Sequence, residues 1–180
     1  MEINELLNYI GNIPLSGSDI LNLLNNNTNV LTYPQLTKYD NIESLLYPYN
    51  SCIILYLTHK NYGHWTCLIN HYDRIEFFDS YINSLPDSEL SKINYDFRIN
   101  SNQLHPHLAT LLSNGNKNIE YNNYSFQKFN KNIKTCGYHC VSRIIFKNFL
   151  LDEYYNILKK LSKEYKLTLD NLAVFISLFL

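Results

Sequence analysis

A thiol, an imidazole and a carboxylate in hydrogen-bonded series make a nucleophile at neutral pH. The chain offers one of each in a fitting context. Cys136 follows the polar loop "KFNKNIKT" and opens "GYHCVSRIIFKNF", whose apolar residues Tyr138, Val141, Ile144, Ile145 and Phe149 recur at helical spacing. It therefore stands at or next to a helix N-terminus, where the dipole and free N–H groups favour a thiolate. Gly137 leaves room for a substrate backbone to approach. His64 begins a strand in "GHWTCLIN", and Asp79 ends the following strand in "IEFFDSY", 15 residues later. Antiparallel neighbours joined by a short turn bring the start of one strand beside the end of the next, so His64 and Asp79 can meet at one rim of a sheet. The carboxylate would fix the imidazole tautomer and raise its basicity. A developing oxyanion also needs donors. The Cys136 N–H can be one, and Gln127, Asn130 or Asn132 can supply a side-chain amide.

These residues require a sheet with a helix packed on it. "SCIILYLT" (51–58) is a continuous β-prone run, the mark of a strand buried on both faces. "HWTCLINH" alternates Trp65, Cys67 and Ile69 against His64, Thr66 and Leu68, and "RIEFFDS" (74–80) follows after the turn "NHYD". A further strand is expected over "IEYNNYSFQ" (119–127). "SGSDILNLLNN", with a Ser cap, "PDSELSKINYDF" and "HPHLATLLSNG", closed by Gly115, read as helices, as do 136–149, 152–163 and 168–179. The expected class is α+β, a mixed central sheet flanked by helices. The apolar tail "LAVFISLFL" is too short to span a membrane and is expected to dock on the core as a helix.

The chain has 180 residues, 46% of them hydrophobic and 14% aromatic, which predicts one globular domain over 1–180. A net charge of −1 gives no broad basic field for nucleic acid. No signal peptide is read in "MEINELLNYIGN", so the four cysteines are expected as reduced thiols in a cytosolic compartment. The abundance of Asn, Ile, Tyr and Lys suits an AT-rich viral or protist coding sequence.

The ordered set "GHW", "FFDS", "FQ" and "CGYHC" resembles the cysteine proteases of the adenovirus proteinase (adenain) and SUMO-protease group. It is most similar to the capsid-maturation proteases of virophages, Polinton-type elements and large DNA viruses. "IPLSGSDILNLL" and "LLYPYNSCIILYL" share that likeness, which covers most of residues 13–160. The resemblance implies a circularly permuted papain-type fold, since the cysteine follows the histidine. It implies His64 as general base, Trp65 as the substrate-side aromatic after it, Asp79 as the orienting acid, Gln127 as the oxyanion-hole amide and Cys136 as nucleophile. Gln127 lies farther upstream of its cysteine than the family's glutamine usually does, whereas Asn130 has the usual spacing and a shorter side chain. Gln127 is preferred because it ends a strand-like stretch.

What the resemblance implies further is cleavage of capsid or virion precursors, often after Gly, in the host cytoplasm (viral factory) and the virion. It implies neither cofactor nor metal. Adenain-type enzymes are activated by a peptide and by DNA, but no residue pattern here shows either partner. Lys159, Lys160, Lys163 and Lys166 read as a solvated helix face. The chain is expected to act as a monomer. Three readings compete: an isopeptidase for ubiquitin- or SUMO-like conjugates with the same chemistry, a zinc site on Cys136, His139 and Cys140 with Cys67 or His71, and a catalytically silent structural protein. Cys52, Cys67 and Cys140 read as core thiols. His59, His71, His105, His107 and His139 read as surface or turn residues, for want of a carboxylate in a matching context.

Overall fold

A computed structural model of the chain describes residues 2–130 and 133–180. Its centre is a mixed sheet in the spatial order β1 (Asn29–Thr32), β2 (Ser51–His59), β3 (Tyr62–Asn70), β4 (Arg74–Phe78) and β5 (Asn118–Tyr121). The middle three are antiparallel, joined by short turns, and the two short outer strands lie parallel to their neighbours. Around the sheet stand α1 (Ile3–Gly11), α2 (Gly17–Leu23), α3 (Ile42–Leu46), α4 (Tyr95–Asn100), α5 (His107–Ser113), α6 (Cys136–Ile145), α7 (Leu151–Tyr165) and α8 (Leu169–Phe179).

Both faces of the sheet are covered, which explains the unbroken apolar run of β2. Side chains alternate along a strand. Ile53, Leu55, Trp65, Cys67, Ile69 and Phe78 therefore pack with Cys140, Val141 and Ile144 of α6 and with Tyr154 and Leu158 of α7. Ile54, Tyr56, Leu68, Ile75 and Phe77 pack on the opposite face with Leu45 of α3 and Leu108 of α5. The apolar tail forms α8, whose Leu172, Ala173 and Val174 are buried against Leu7 of α1 and Tyr138 of α6.

The architecture is the expected α+β one, with three local departures. The stretch 119–127 is a strand only as far as Tyr121. Beyond it, the Asn122 carboxamide accepts the Tyr124 N–H at 2.8 Å and donates to the Tyr124 carbonyl and, across the loop, to that of Asp79, which folds the chain into a turn. The region of "PDSELSKINYDF" holds a short 3-10 turn (Ser88–Lys92) and then α4, interrupted where Asn94 caps the new helix through the Phe97 N–H. Helix α6 stops at Ile145 rather than 149, because the Arg143 guanidinium donates to the carbonyls of Phe146 (2.8 Å) and Phe149 (2.9 Å) and satisfies them outside a helix.

Helix α6 is pinned to the sheet by the same guanidinium. Arg143 binds Glu76 of β4 in a fork, Nε to Oε1 and Nη2 to Oε2, both at 2.7 Å, and both side chains are fully buried. Bidentate pairing of this kind fixes geometry as well as charge. It joins the strand that ends just before Asp79 to the helix that begins at Cys136.

Candidate active site

The β3–β4 hairpin delivers His64 and Asp79 to one rim. His64 Nε2 lies 2.8 Å from Asp79 Oδ1, and neither residue has more than a sliver of exposed surface. The same carboxylate oxygen accepts the Tyr81 N–H at 2.9 Å, and the Tyr81 ring stacks on the imidazole at 5.1 Å. Cys136 borders the same cleft as His64, close enough for its thiol to act on the charge of the imidazole. With Nε2 committed to Asp79, Nδ1 is the nitrogen left for sulfur. Cys136 is the first residue of α6, capped at Thr135, so its N–H has no acceptor within the helix. The three side chains separated along the chain thus meet at the sheet rim.

Electrostatics follow from that geometry. Burial opposes charging of His64, but the Asp79 charge and hydrogen bond, and then Cys136, outweigh it and raise its pKa well above the ordinary 6.5. Burial likewise opposes the Asp79 carboxylate, yet the His64 charge and hydrogen bond and the Tyr81 N–H hold its pKa below the ordinary 3.8. A raised folded-state pKa adds stability that is fully present below the unfolded value and is lost as pH rises through the folded one. The unfolding free energy of the wild-type chain relative to His64→Gln is therefore expected to shrink between pH 6 and pH 10. Denaturant titrations of both proteins across that range measure it, and a constant difference would contradict the charged imidazole.

Gln127 reaches the same place from the loop after β5. Its backbone N–H and that of Phe126 both donate to the Ser80 carbonyl at 3.0 Å. Its side-chain oxygen accepts from Ser80 Oγ at 2.7 Å, which turns the NH2 group away from Ser80, and that group donates to the Ile133 carbonyl at 3.2 Å. A carboxamide nitrogen carries two hydrogens, so one remains for a substrate oxygen. Asn130 lines the same cleft, and Asn132 lies outside the described residues.

The cleft, about 260 Å³, is bordered by His64, Tyr81, Gln127, Cys136, Trp65 and the 89% exposed ring of Phe129. A second cavity of about 450 Å³ lies beside it and shares Pro14, Tyr62, Gly63 and Trp65 as walls. Trp65 is held between the two by its indole N–H, which donates to the Leu15 carbonyl at 3.0 Å. Gly137 sits behind this wall: a Cβ there would come within 3.2 Å of both Leu15 and the Trp65 ring, a tight fit that a larger residue could take only by shifting those side chains.

Several participants gave no sequence signal. Ser80 anchors Gln127 through its hydroxyl. Glu89, 7% exposed and paired with Lys92, places its carboxylate beside the cleft. Ligand atoms of His64, Asp79 and Glu89 lie within 4.8 Å of one another, the one trio of its kind among the described residues and the place where a metal ion could be held. The zinc set of Cys136, His139 and Cys140 with Cys67 or His71 forms no such group among the described residues. All four cysteines are free, and burial followed by hydrogen bonding to Cys67 pushes the Cys140 thiol far up, as an inert core thiol requires. Two histidines are corrected: His71 pairs with Glu76 at 3.1 Å, and His139 is fully buried and pairs with Asp170 at 3.1 Å. The partner of His71 lies five residues on, across the hairpin turn, and that of His139 on another helix, 31 residues on.

Fold and site together define an α+β protein with a buried cysteine–histidine–aspartate cluster at the rim of a five-stranded mixed sheet. No protein-family model matches the chain. It is 39% identical over 173 residues to a protein of Sputnik virophage whose name is "Uncharacterized protein V9", covering 96% of this chain and 98% of that one. The chain belongs to the family of that virophage protein. Among its described residues no helix is long and apolar enough to cross a membrane.

Proposed function

We propose that this chain is a cysteine endopeptidase of the adenain/SUMO-protease type that cleaves capsid or virion precursor proteins in the virus-infected cell. The observation that carries the reading is the convergence of the hydrogen-bonded pair Asp79–His64 with Cys136 at one cleft, with the sulfur at a helix N-terminus and a carboxamide across the cleft. The similarity to a virophage protein supports the viral setting. The two adjoining cavities, with Trp65 as a shared wall, suit an extended peptide.

In the first half-reaction the Cys136 thiolate adds to the scissile carbonyl carbon. The oxyanion is held by the Cys136 N–H and the free N–H of Gln127. The carbon–nitrogen bond breaks as the His64 imidazolium gives its proton to the leaving amine, and a thioester remains. A water then attacks the thioester carbonyl while His64 accepts its proton. The carbon–sulfur bond breaks, releasing the carboxylic acid and restoring the Cys136–His64 pair. Asp79 keeps Nε2 occupied throughout, so Nδ1 carries every transfer.

Gln127→Ala should lower kcat on precursor-derived peptides by about 10²–10³-fold, the usual loss for one oxyanion donor, with Asn130→Ala close to wild type. Steady-state kinetics on the two variants decide between them. A reversed pattern would move the donor to Asn130, and two unaffected variants would remove the oxyanion hole from the account.

A further inference from the structure

Behind the nucleophile lies a second carboxylate–imidazole pair that the mechanism above does not use. Asp170, in the first turn of α8, does not face solvent as a helix-start acid ordinarily would. It is 6% exposed and turned inward. Its Oδ1 accepts from His139 Nε2 at 3.1 Å and from the Thr135 hydroxyl, and its Oδ2 accepts the backbone N–H of Lys128 at 3.3 Å. Thr135 immediately precedes Cys136, Lys128 immediately follows Gln127, and His139 lies one turn along the helix that Cys136 begins. One buried anion thus ties together three segments: the start of α6, the loop bearing the carboxamide, and α8.

We propose that Asp170 is a positioning residue for the oxyanion pocket, setting the Cys136 N–H and the Gln127 carboxamide at a fixed separation. The inference rests on the protease reading of this site. Three observations favour it over a plain packing role. Burying a carboxylate is unfavourable unless it is fully bonded, and here every bond it accepts, apart from that of His139, comes from a residue adjacent to a proposed oxyanion donor or to the nucleophile. His139 is fully buried, its Nδ1 has no hydrogen-bond partner among the described residues, and its Nε2 bonds Asp170. Thr135 and His139 are also linked through the backbone, His139 N–H to the Thr135 carbonyl at 2.9 Å, so a shift of the carboxylate moves the first turn of α6 as a unit. Burial raises the pKa of Asp170, but His139 and the Thr135 and Lys128 donors hold it below the ordinary 3.8, which keeps the anion in place at neutral pH.

Asp170→Asn preserves shape and removes the charge. Misplacement of donors by a fraction of an ångström is expected to lower kcat on a precursor peptide about 10–100-fold with KM within about threefold, since the pocket acts in the transition state. Alkylation of Cys136 by iodoacetamide builds no oxyanion. Its rate and pH profile are expected to stay within about twofold of wild type, and the exchange protection of the Lys128 amide to fall. Thr135→Val, which removes one donor and leaves the pair with His139 intact, is expected to move kcat in the same direction by a smaller factor and serves if Asp170→Asn fails to fold. An unchanged kcat, or alkylation and hydrolysis falling together, overturns the proposal. If the wild-type chain is alkylated at Cys136 but cleaves nothing, the protease reading fails separately, and Lys128 exchange alone then decides whether Asp170 holds the loop: unchanged protection overturns it.

Discussion

Cys136→Ala is expected to abolish peptide hydrolysis, by at least about 10⁴-fold, while the chain still folds. The loss is large because no other thiol can substitute. Cys140 lies one turn deeper in α6 and is fully buried, and Cys52 and Cys67 are buried within β2 and β3. Folding survives because the change removes one sulfur of about methylene size, roughly 1 kcal/mol of burial, at a residue on the edge of the core cluster. His64 keeps its bond to Asp79. Rates on a precursor peptide, with circular dichroism as the folding control, measure both halves. A variant that cuts at the wild-type rate would place the chemistry elsewhere.

Arg143→Met is expected to destabilise the chain by about 3–5 kcal/mol, the usual result of breaking a buried ion pair by removing one partner. Glu76 would be left fully buried with His71 alone. The carbonyls of Phe146 and Phe149 would lose their donor, and the face of Tyr154 its cation at 5.0 Å. A loss of that size is a large part of the stability of a domain this long. Burial raises the pKa of Glu76, but hydrogen bonds from His71 and Arg143 and their charges hold it below the ordinary 4.5. That contribution is present above the unfolded value and is lost as pH falls through the folded one, so the wild-type advantage over Arg143→Met should shrink on acidification below about pH 4.5. Urea titrations at pH 7 and pH 4 test both the size and the sign. The pair Glu76→Gln with Arg143→Met should recover part of the loss, because it leaves no uncompensated charge. Equal stability of Arg143→Met and wild type would show that the clamp does not hold α6 to the sheet.

What the sequence revealed is what local periodicity encodes. The alternation of Trp65, Cys67 and Ile69 against Thr66 and Leu68 located β3 and its two faces, and two strands joined by "NHYD" were enough to bring His64 to Asp79. The apolar spacing after Cys136 located a helix N-terminus. The continuous run 51–58 announced a strand covered on both sides. What stayed hidden is pairing between distant segments. Nothing near His139 points to Asp170, 31 residues on, and nothing near Arg143 points to Glu76, 67 residues back. Stretch 119–127 has a strand's composition, but the Asn122 side chain outcompetes the ladder by bonding its own backbone, as short amides do. The role of Ser80 was hidden for the same reason, since its partner Gln127 lies 47 residues on. Its neighbour Asp79 faces His64, while Ser80 supports the carboxamide, so one dipeptide serves both halves of the site.

The central claim is that Cys136 is the nucleophile and His64 the group that activates it. Alkylation of the intact, folded protein with a limiting amount of iodoacetamide, with the modified residue located by mass spectrometry and the rate followed against pH, tests it most directly. The account predicts modification at Cys136 alone, faster than a free thiol at pH 6, and slowed strongly by His64→Ala. Modification no faster than a free thiol, or untouched by loss of His64, would contradict it.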